Sequence, residues 1–394
     1  MATVKQIYSM VNDAAEESLG AHAVRVKDTA SLISLGGVVF SSDDYKDAFY
    51  EKLCDRIGST VITVRALAKK NRRVKKDEME WGVIYQKISF KDIDASKNSA
   101  WDAANPESPY AATAQGGIVQ MLFTVMSTFK YEDVIPDGQL FTAFTSAEKM
   151  GAFISAIYQR MDNALTRAEN NLANLAVNTN MAGIMIKGKN TQKRNVLSEF
   201  ITASGKTYNT IEEAHMDADY LKYVTREIKT AVGNLAEESV LFNITEDIPR
   251  QTTRDRLVVE VLGRFASAVA SYLESDTYHN EMVALPGYEE VAYWQNPGTS
   301  FAFDDISKID VKNAELKVTG NATGTCEQAG IIAFLHDEDS CASIIARRRD
   351  HSIYDGYNER YVVSKKADQG YAVDLSENGI VFYEELPASN DGEG

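Results

Sequence analysis

The sequence predicts an α+β chain organised around one long helix, and three stretches carry that prediction. Residues 145–179 hold Met150, Phe153, Ile154, Ile157, Met161, Leu165, Ala168, Leu172 and Leu175 at steps of mostly three and four. That spacing lays one apolar stripe along a helical face. Residues 82–92 and 118–134 alternate apolar and polar on either side of a polar tip, the period of strands. The C-terminal part, from Gln328 onward, reads mostly as strand.

Composition bounds the rest. The 394 residues are 44% hydrophobic and 25% charged, ordinary for a globular protein and sufficient for one or two cores. A net charge of −16 disfavours unspecific nucleic-acid binding through a broad basic surface. Cys54, Cys326 and Cys341 are too few and too scattered for a disulfide framework or a zinc knuckle, and read as reduced, buried thiols. The start, MATVKQIYSMVNDAAEE, lacks a basic segment followed by an apolar core, so no signal peptide is expected. No apolar run approaches membrane-spanning length. The expectation is a soluble protein made inside a cell.

Residues 1–45 read as an N-terminal arm. Val4, Ile7, Tyr8 and Val11 have helical spacing, but Ala-rich and polar stretches follow and Gly36-Gly37 interrupts. Such a segment buries little by itself and calls for neighbouring chains to hold it. A short amphipathic helix is expected from Asp43 to Ile57, with Phe49, Leu53 and Ile57 at steps of four, then a strand over 59–67. Lys69, Lys70, Arg72, Arg73, Lys75 and Lys76 crowd the next stretch. A solvated loop, or a basic patch facing an acidic neighbour, fits better than a nucleic-acid patch, because no aromatics interleave.

The strand at 82–92, a polar tip at 93–115 and a return strand at 118–134 make an extended β-arm. Pro106, Pro109, Trp101 and Tyr110 lie in the tip. Isolated two-stranded ribbons are marginal in water, so the arm is expected to rest on another part of the protein or on another subunit.

Thr145 and Glu148 have the spacing of a capping box at the start of the long helix. No proline interrupts it, and at about 1.5 Å per residue it reaches roughly 50 Å. The alternative, a coiled-coil arm, would need charges sustained at the flanking heptad positions. Residues 183–190, GIMIKGKN, partly match a phosphate-cradling loop, but Asn190 stands where a metal-binding Ser or Thr is needed.

Residues 195–330 read as a separate α+β insertion. Thr210 and Glu213 repeat the capping spacing before a helix carrying Leu221, Val224, Ile228 and Val232. Then come a β-run at 256–262, a helix at 263–275, a second strand region at 282–294 turning at Pro286-Gly287, and a strand including Leu316 and Val318. In the last segment a strand runs from 328 into an acidic turn, and 370–386 reads as two strands turning at Asn378-Gly379. The tail after Leu386 is disordered by composition.

Catalytic and metal-binding patterns are not found. His22, His215, His279, His336 and His351 join no metal-ligand spacing, and there is no GxSxG elbow, CxxC pair or GxGxxG after a strand. His336 to Asp339 could bind a cation, although a charged turn is the commoner meaning. Asn243 and Asn321 head glycosylation-type triplets that read as chance. Arg347, Arg348 and Arg349 form the densest late charge feature, suited to carboxylates across an interface, with a phosphate site as the lesser alternative. No catalytic role or cofactor is expected.

The order of parts resembles the major capsid proteins of tailed bacteriophages, a fold shared with encapsulins and the floor of herpesvirus capsids. FYEKLCDRIGSTVITVRAL, the helix at 145–179, RLVVEVLGRF to HNEMVALPGYEEV, and the ending from AGIIAFLHDED to IVFYEE carry the likeness. DRIGSTVITVRAL followed by basic residues is similar to the heads of short-tailed phages. The resemblance implies an N-terminal arm (1–45), a peripheral domain in parts (46–81, 138–194 and 330–394) and an extended β-loop (82–137) lying across an adjacent subunit. It implies an axial domain at 195–329, with 330–386 completing the peripheral sheet.

It also implies self-assembly into hexamers and pentamers of an icosahedral or prolate head enclosing double-stranded DNA. Scaffolding, portal and minor head proteins would be partners, and assembly would take place in the host cytoplasm. Lys69 to Lys76, Trp101, Tyr110 and Arg347 to Arg349 would then be subunit-interface candidates. Cleavage of an N-terminal segment is not expected, as the chain starts at Met1. The alternatives are an encapsulin-like cargo shell and a non-enzymatic adaptor using the polar tip as a recognition loop.

Overall fold

The computed structural model describes residues 4–64, 85–90, 118–123, 127–136, 138, 141, 143–145, 147–244, 248–273, 287–295, 305–316 and 322–387. In chain order the helices are α1 (Val4–Leu19), α2 (Thr29–Val39), α3 (Asp43–Val64), α4 (Ala147–Lys187), α5 (Val196–Ser204), α6 (Ile211–His215), α7 (Ala218–Leu235) and α8 (Gly263–Leu273). The strands are β1 (Tyr85–Phe90), β2 (Ile118–Phe123), β3 (Ser127–Pro136), β4 (Lys193–Asn195), β5 (Leu257–Leu262), β6 (Glu289–Val291), β7 (Ile309–Leu316), β8 (Ala322–Gln328), β9 (Ile331–Asp337), β10 (Cys341–Asp355), β11 (Arg360–Val373) and β12 (Gly379–Tyr383). The chain divides into two compact units, one of residues 1–81, 126–172 and 343–370, the other of 82–125, 173–342 and 371–394.

In the first unit the expected arm is a folded helical layer. Val11, Ala14, Ala15 and Leu19 of α1, Leu32, Leu35 and Val39 of α2, and Phe49, Tyr50 and Leu53 of α3 share one core with Ile135, Phe144 and Tyr361. The Ala-rich stretch is a close-packing face, and Gly36 lies inside α2. A Cβ on Gly36 would sit 2.9 Å from the Phe144 side chain, so this glycine is needed for contact rather than for a break. Asn12 ties α1 to the next segment, donating from Nδ2 to the Val26 carbonyl (3.0 Å) and accepting from the Val26 amide (2.6 Å). Asp28 and Ser31 form a reciprocal capping box at the start of α2.

The strand expected over 59–67 is instead the last part of α3 as far as Val64, beyond which the residues lie outside those described. A helix already packed through Phe49, Tyr50 and Leu53 gains a hydrogen bond for each residue added. The β-branched run opposes this by only about 0.5 kcal/mol per residue.

The return strand expected at 118–134 is two strands with different partners. β2 pairs antiparallel with β1 in a two-stranded ribbon, Tyr85 opposite Phe123. β3 pairs antiparallel with β11, Ser127 opposite Gln369 through Pro136 opposite Arg360, in the sheet β10-β11-β3. Alternation alone does not reveal that one run is shared between two sheets.

The second unit is built on a five-stranded sheet in the order β4-β12-β9-β5-β6. On one face Val259 and Val261, Leu335, and Ile380 and Phe382 pack with Leu197 and Phe200 of α5, Tyr220 to Ile228 of α7, and Phe265 of α8. The opposite face receives the C-terminal half of α4. A Cβ on Gly379 would meet Ile184 at 2.7 Å, and Asn180 Nδ2 donates to the Ser340 carbonyl at 3.1 Å. Asn178 Nδ2 donates to the Trp294 carbonyl at 3.0 Å.

The long helix runs to Lys187, 41 residues and about 60 Å, so most of GIMIKGKN is helix rather than loop. Lys189 donates to the Val240 carbonyl at 2.5 Å. Leu175, placed on the apolar stripe by spacing, is exposed, whereas Asn178, Thr179 and Asn180 are buried. The second unit closes round this half of the helix, which a single stripe does not anticipate.

Three further expectations change. Thr210 caps only the five-residue α6, accepting from the Glu213 amide at 3.2 Å, and α7 has its own cap at Asp217. Glu213 itself accepts from the Asn209 amide at 2.8 Å. Of the strand region expected at 282–294, residues 282–286 lie outside the described residues and Glu289–Val291 form β6. Residues 370–386 are not a hairpin: the first half ends β11, while β12 pairs with β9 and β4. A boundary between an insertion at 195–329 and a return at 330–386 therefore does not follow the sheet, since β9 and β12 lie at its centre. The tail from 388 lies outside the described residues.

Candidate functional site

The outer face of β10-β11-β3 is the surface in the first unit best suited to contacts. Register sets which residues reach it. Ile135 opposite Tyr361 and Asp133 opposite Val363 fall on the inner face. There the Tyr361 ring stacks on Tyr50 at 3.5 Å and its hydroxyl donates to Asp47 Oδ1 at 2.8 Å. Thr128, Lys130, Glu132 and Val134 alternate to the outer face with Val362, Lys366 and Asp368.

One polar row crosses all three strands. Thr128 Oγ1 donates to Asp368 Oδ1 at 2.6 Å, and Arg349 Nη2 reaches the two Asp368 oxygens at 2.9 and 3.2 Å. Lys130 and Glu132 pair along β3. Exposed apolar groups lie beside these charges: Val134 at 41% and Ile353 at 59%, with Tyr357 at 95% in the turn after β10. Half-exposed ion pairs contribute only about 0–1 kcal/mol each, so the row orients the surface more than it stabilises the subunit. β3 is also an edge strand, and among the described residues nothing pairs with its outer side over ten residues.

This is where Arg349 goes: it pairs with Asp368 of the same chain. Arg347 and Arg348 lie on β10 but their side chains are outside the described residues. Lys69, Lys70, Arg72, Arg73, Lys75, Lys76, Trp101 and Tyr110 lie outside the described residues altogether. Sequence reasoning missed Asp368 and Thr128, which become neighbours of Arg349 only through strand register. The single acid within LVVEVL, Glu260, was a readable signal for a buried charge.

The remaining polar clusters are internal. His336 Nδ1 lies 2.9 Å from both the Asp337 carbonyl and Ser340 Oγ, in a buried corner that includes the Cys341 thiol. A carbonyl oxygen only accepts, so Nδ1 carries the proton and cannot serve Ser340 as a base. Asp337 and Asp339 both accept from Arg256 Nη2, at 3.0 and 2.6 Å, so one guanidinium holds two of the three acids of the turn. Arg194 is bound by Glu199 and Glu227 (2.5 and 3.0 Å), and the Glu199 hydrogen bond is the main reason its pKa is raised. Asn243, head of a glycosylation-type triplet, is fully buried. Cys326 and Cys341 are buried and join no disulfide among the described residues. Among the described residues no group of three His, Cys, Asp or Glu could hold a metal ion, and no helix is long and apolar enough to cross a membrane.

The family model for Phi29-like phage major capsid proteins matches residues 9–383, both units and every strand described above. The chain belongs to that family. It is a capsid protein, a structural subunit of a phage head shell. Its fold is similar to a chain in the capsid structure of Staphylococcus phage Andhra, with a TM-score of 0.52 at 9% identity over 80% of this chain and 84% of that one. It is also similar to a chain in the structure of the head fiber and inner core protein gp22 of native bacteriophage P68, with a TM-score of 0.51 at 10% identity over 81% and 85%. No curated protein sequence matches this capsid protein. Its role is structural, its copies associate with one another in the shell, and its place is the virion.

Proposed function

We propose that this capsid protein assembles into hexamers and pentamers of an icosahedral or prolate head that encloses double-stranded DNA. The family match over residues 9–383 carries this reading. Closed rings of one chain need head-to-tail contacts, in which one surface meets a different one next door. Two features supply unlike surfaces: the β1–β2 ribbon, whose strands pair only with each other among the described residues, and the outer face and edge of β10-β11-β3. In this reading the part of 82–137 that precedes β3, which is bound into its own chain's sheet, reaches across a neighbour, the first unit is peripheral and the rest of the second axial. Lys69 to Lys76, Trp101, Tyr110 and Arg347 to Arg348 contribute to contacts between copies, and Arg349 contributes through its pair with Asp368.

The net charge of −16 argues that DNA is contained rather than held by a broad basic surface. Scaffolding, portal and minor head proteins are the further partners of the proposal, with assembly in the host cytoplasm. The test is negative-stain microscopy and light scattering of the full chain, alone and with head proteins of the same phage, beside Arg348→Glu. Closed particles from the parent and folded, unassembled subunits from the variant are expected. Intact shells from Arg348→Glu would remove that residue from the interface, and no particles under any condition would overturn the assembly reading.

A further inference from the structure

The second unit carries one acidic side chain in a place where a carboxylate should not be. Glu260 lies mid-strand in β5, 1% exposed, and among the described residues its Oε1 has no hydrogen-bond partner. β5 residues alternate between faces: Val259 and Val261 join the helix-side core, which puts Glu260 on the face turned to α4. Phe334 lies opposite it on β9, with His336 two residues along and stacked on Phe334 at 4.6 Å. The part of α4 in this unit, residues 173–187, has one charged residue, Lys187 at its end. On the other side of Glu260 is β6, where the parallel register sets Glu289 directly beside it.

Among the described residues β6 is the edge strand, three residues long and paired only with β5. Its next residue, Glu290, faces the other way and lies against Gly263, where an added Cβ would be 2.5 Å from Glu290 Oε1. Among the described residues the strand itself is held by a three-residue ladder and this contact, with the chain anchored three residues on at Trp294, and it is opposed by any charge on Glu260. Burial, reinforced by the Glu289 carboxylate, pushes the Glu260 carboxyl up to about 8.

We propose that Glu260 is held as a neutral carboxylic acid in the folded subunit, and that losing its proton to solvent against Glu289 releases the β6 edge strand. β6 is then a proton-controlled latch on the central sheet. The sign follows from linkage. Below about pH 4.5 the acid is protonated whether β6 is docked or released, so docking does not depend on pH. Above that, and up to about 8, the docked state keeps a proton that the released state gives up. Each pH unit in that window favours release about tenfold. Above it both states are ionised and the dependence ends.

The test is amide hydrogen exchange of residues 289–291 in the full chain between pH 5 and 9, corrected for intrinsic exchange rates, with residues 331–337 of β9 as internal reference. Protection of β6 relative to β9 should fall about tenfold per pH unit up to about pH 8 in the parent. It should stay level in Glu260→Gln. In Glu289→Gln the fall should end at a lower pH, leaving β6 better protected at pH 8 than in the parent. A level profile in the parent, or an equal fall in Glu260→Gln, would overturn the proposal. Should Glu260→Gln not fold, a Glu289→Gln profile matching the parent would overturn it alone.

Discussion

Gly330 is the position where one methyl group should do the most damage. It has φ +74°, and an added Cβ would sit 2.2 Å from the Glu384 carbonyl oxygen. Gly205, at the end of α5 in the same unit, has φ +72° and nothing within 4 Å of an added Cβ. The two glycines therefore share the conformational penalty and differ only in the close approach. Gly205→Ala should lose about 1 kcal/mol, the strain of a left-handed residue with a side chain. Gly330→Ala adds the displacement of Glu384, whose amide donates to the Gly330 carbonyl at 2.8 Å. Losing that bond contributes about 1 kcal/mol, and forcing the packed strand apart at least about 1 more, for a total near 3 kcal/mol.

The reporter is close at hand. Trp294 is buried, and its indole N–H donates to the Ile331 carbonyl, one residue from Gly330, at 2.8 Å. With Trp81 and Trp101 replaced by Phe, Trp294 fluorescence during urea unfolding reads this unit alone. For a unit of this size about 3 kcal/mol corresponds to roughly 6–12 °C in Tm. Equal losses from the two substitutions would refute the reasoning, because the Glu384 contact would then carry no weight.

Other outcomes follow from single contacts. Glu384 is buried and accepts from Tyr220 Oη at 2.7 Å and lies 2.8 Å from His215 Nε2, so Glu384→Ala should cost about 3 kcal/mol in thermal unfolding. Glu384→Gln, which still accepts, should lose less than half of that. Tyr361→Phe deletes the hydroxyl bonded to Asp47 at 2.8 Å but keeps the ring stack on Tyr50, and should lower unfolding stability by about 1 kcal/mol. Asp368→Ala removes the acceptor of Thr128 and Arg349 on a half-exposed face, and should change subunit stability by less than about 1 kcal/mol in urea titration. A larger loss would mean that the row stabilises the sheet itself.

Much of the architecture was readable before any coordinates, because local signals are strong where one element satisfies itself. The apolar periodicity of α4, the alternation of β1 and the apolar run of β5 each specify an element from neighbouring residues alone. Composition excluded a disulfide framework, and the order of elements pointed to a phage capsid subunit. What sequence reasoning could not supply was the choice of partners. Whether 118–134 is one strand or two depends on β11, more than 200 residues away in the chain. Whether Arg349 seeks a neighbour depends on Asp368 arriving beside it. Backbone hydrogen bonding is the same for every strand, so pairing is decided by which faces can be buried together, a property of the assembled chain. The helical fate of residues 59–64, the closing of α1 and α2 onto α3, and the isolation of Glu260 beside Glu289 were settled in the same way, by tertiary packing outweighing propensities of a few tenths of a kcal/mol per residue.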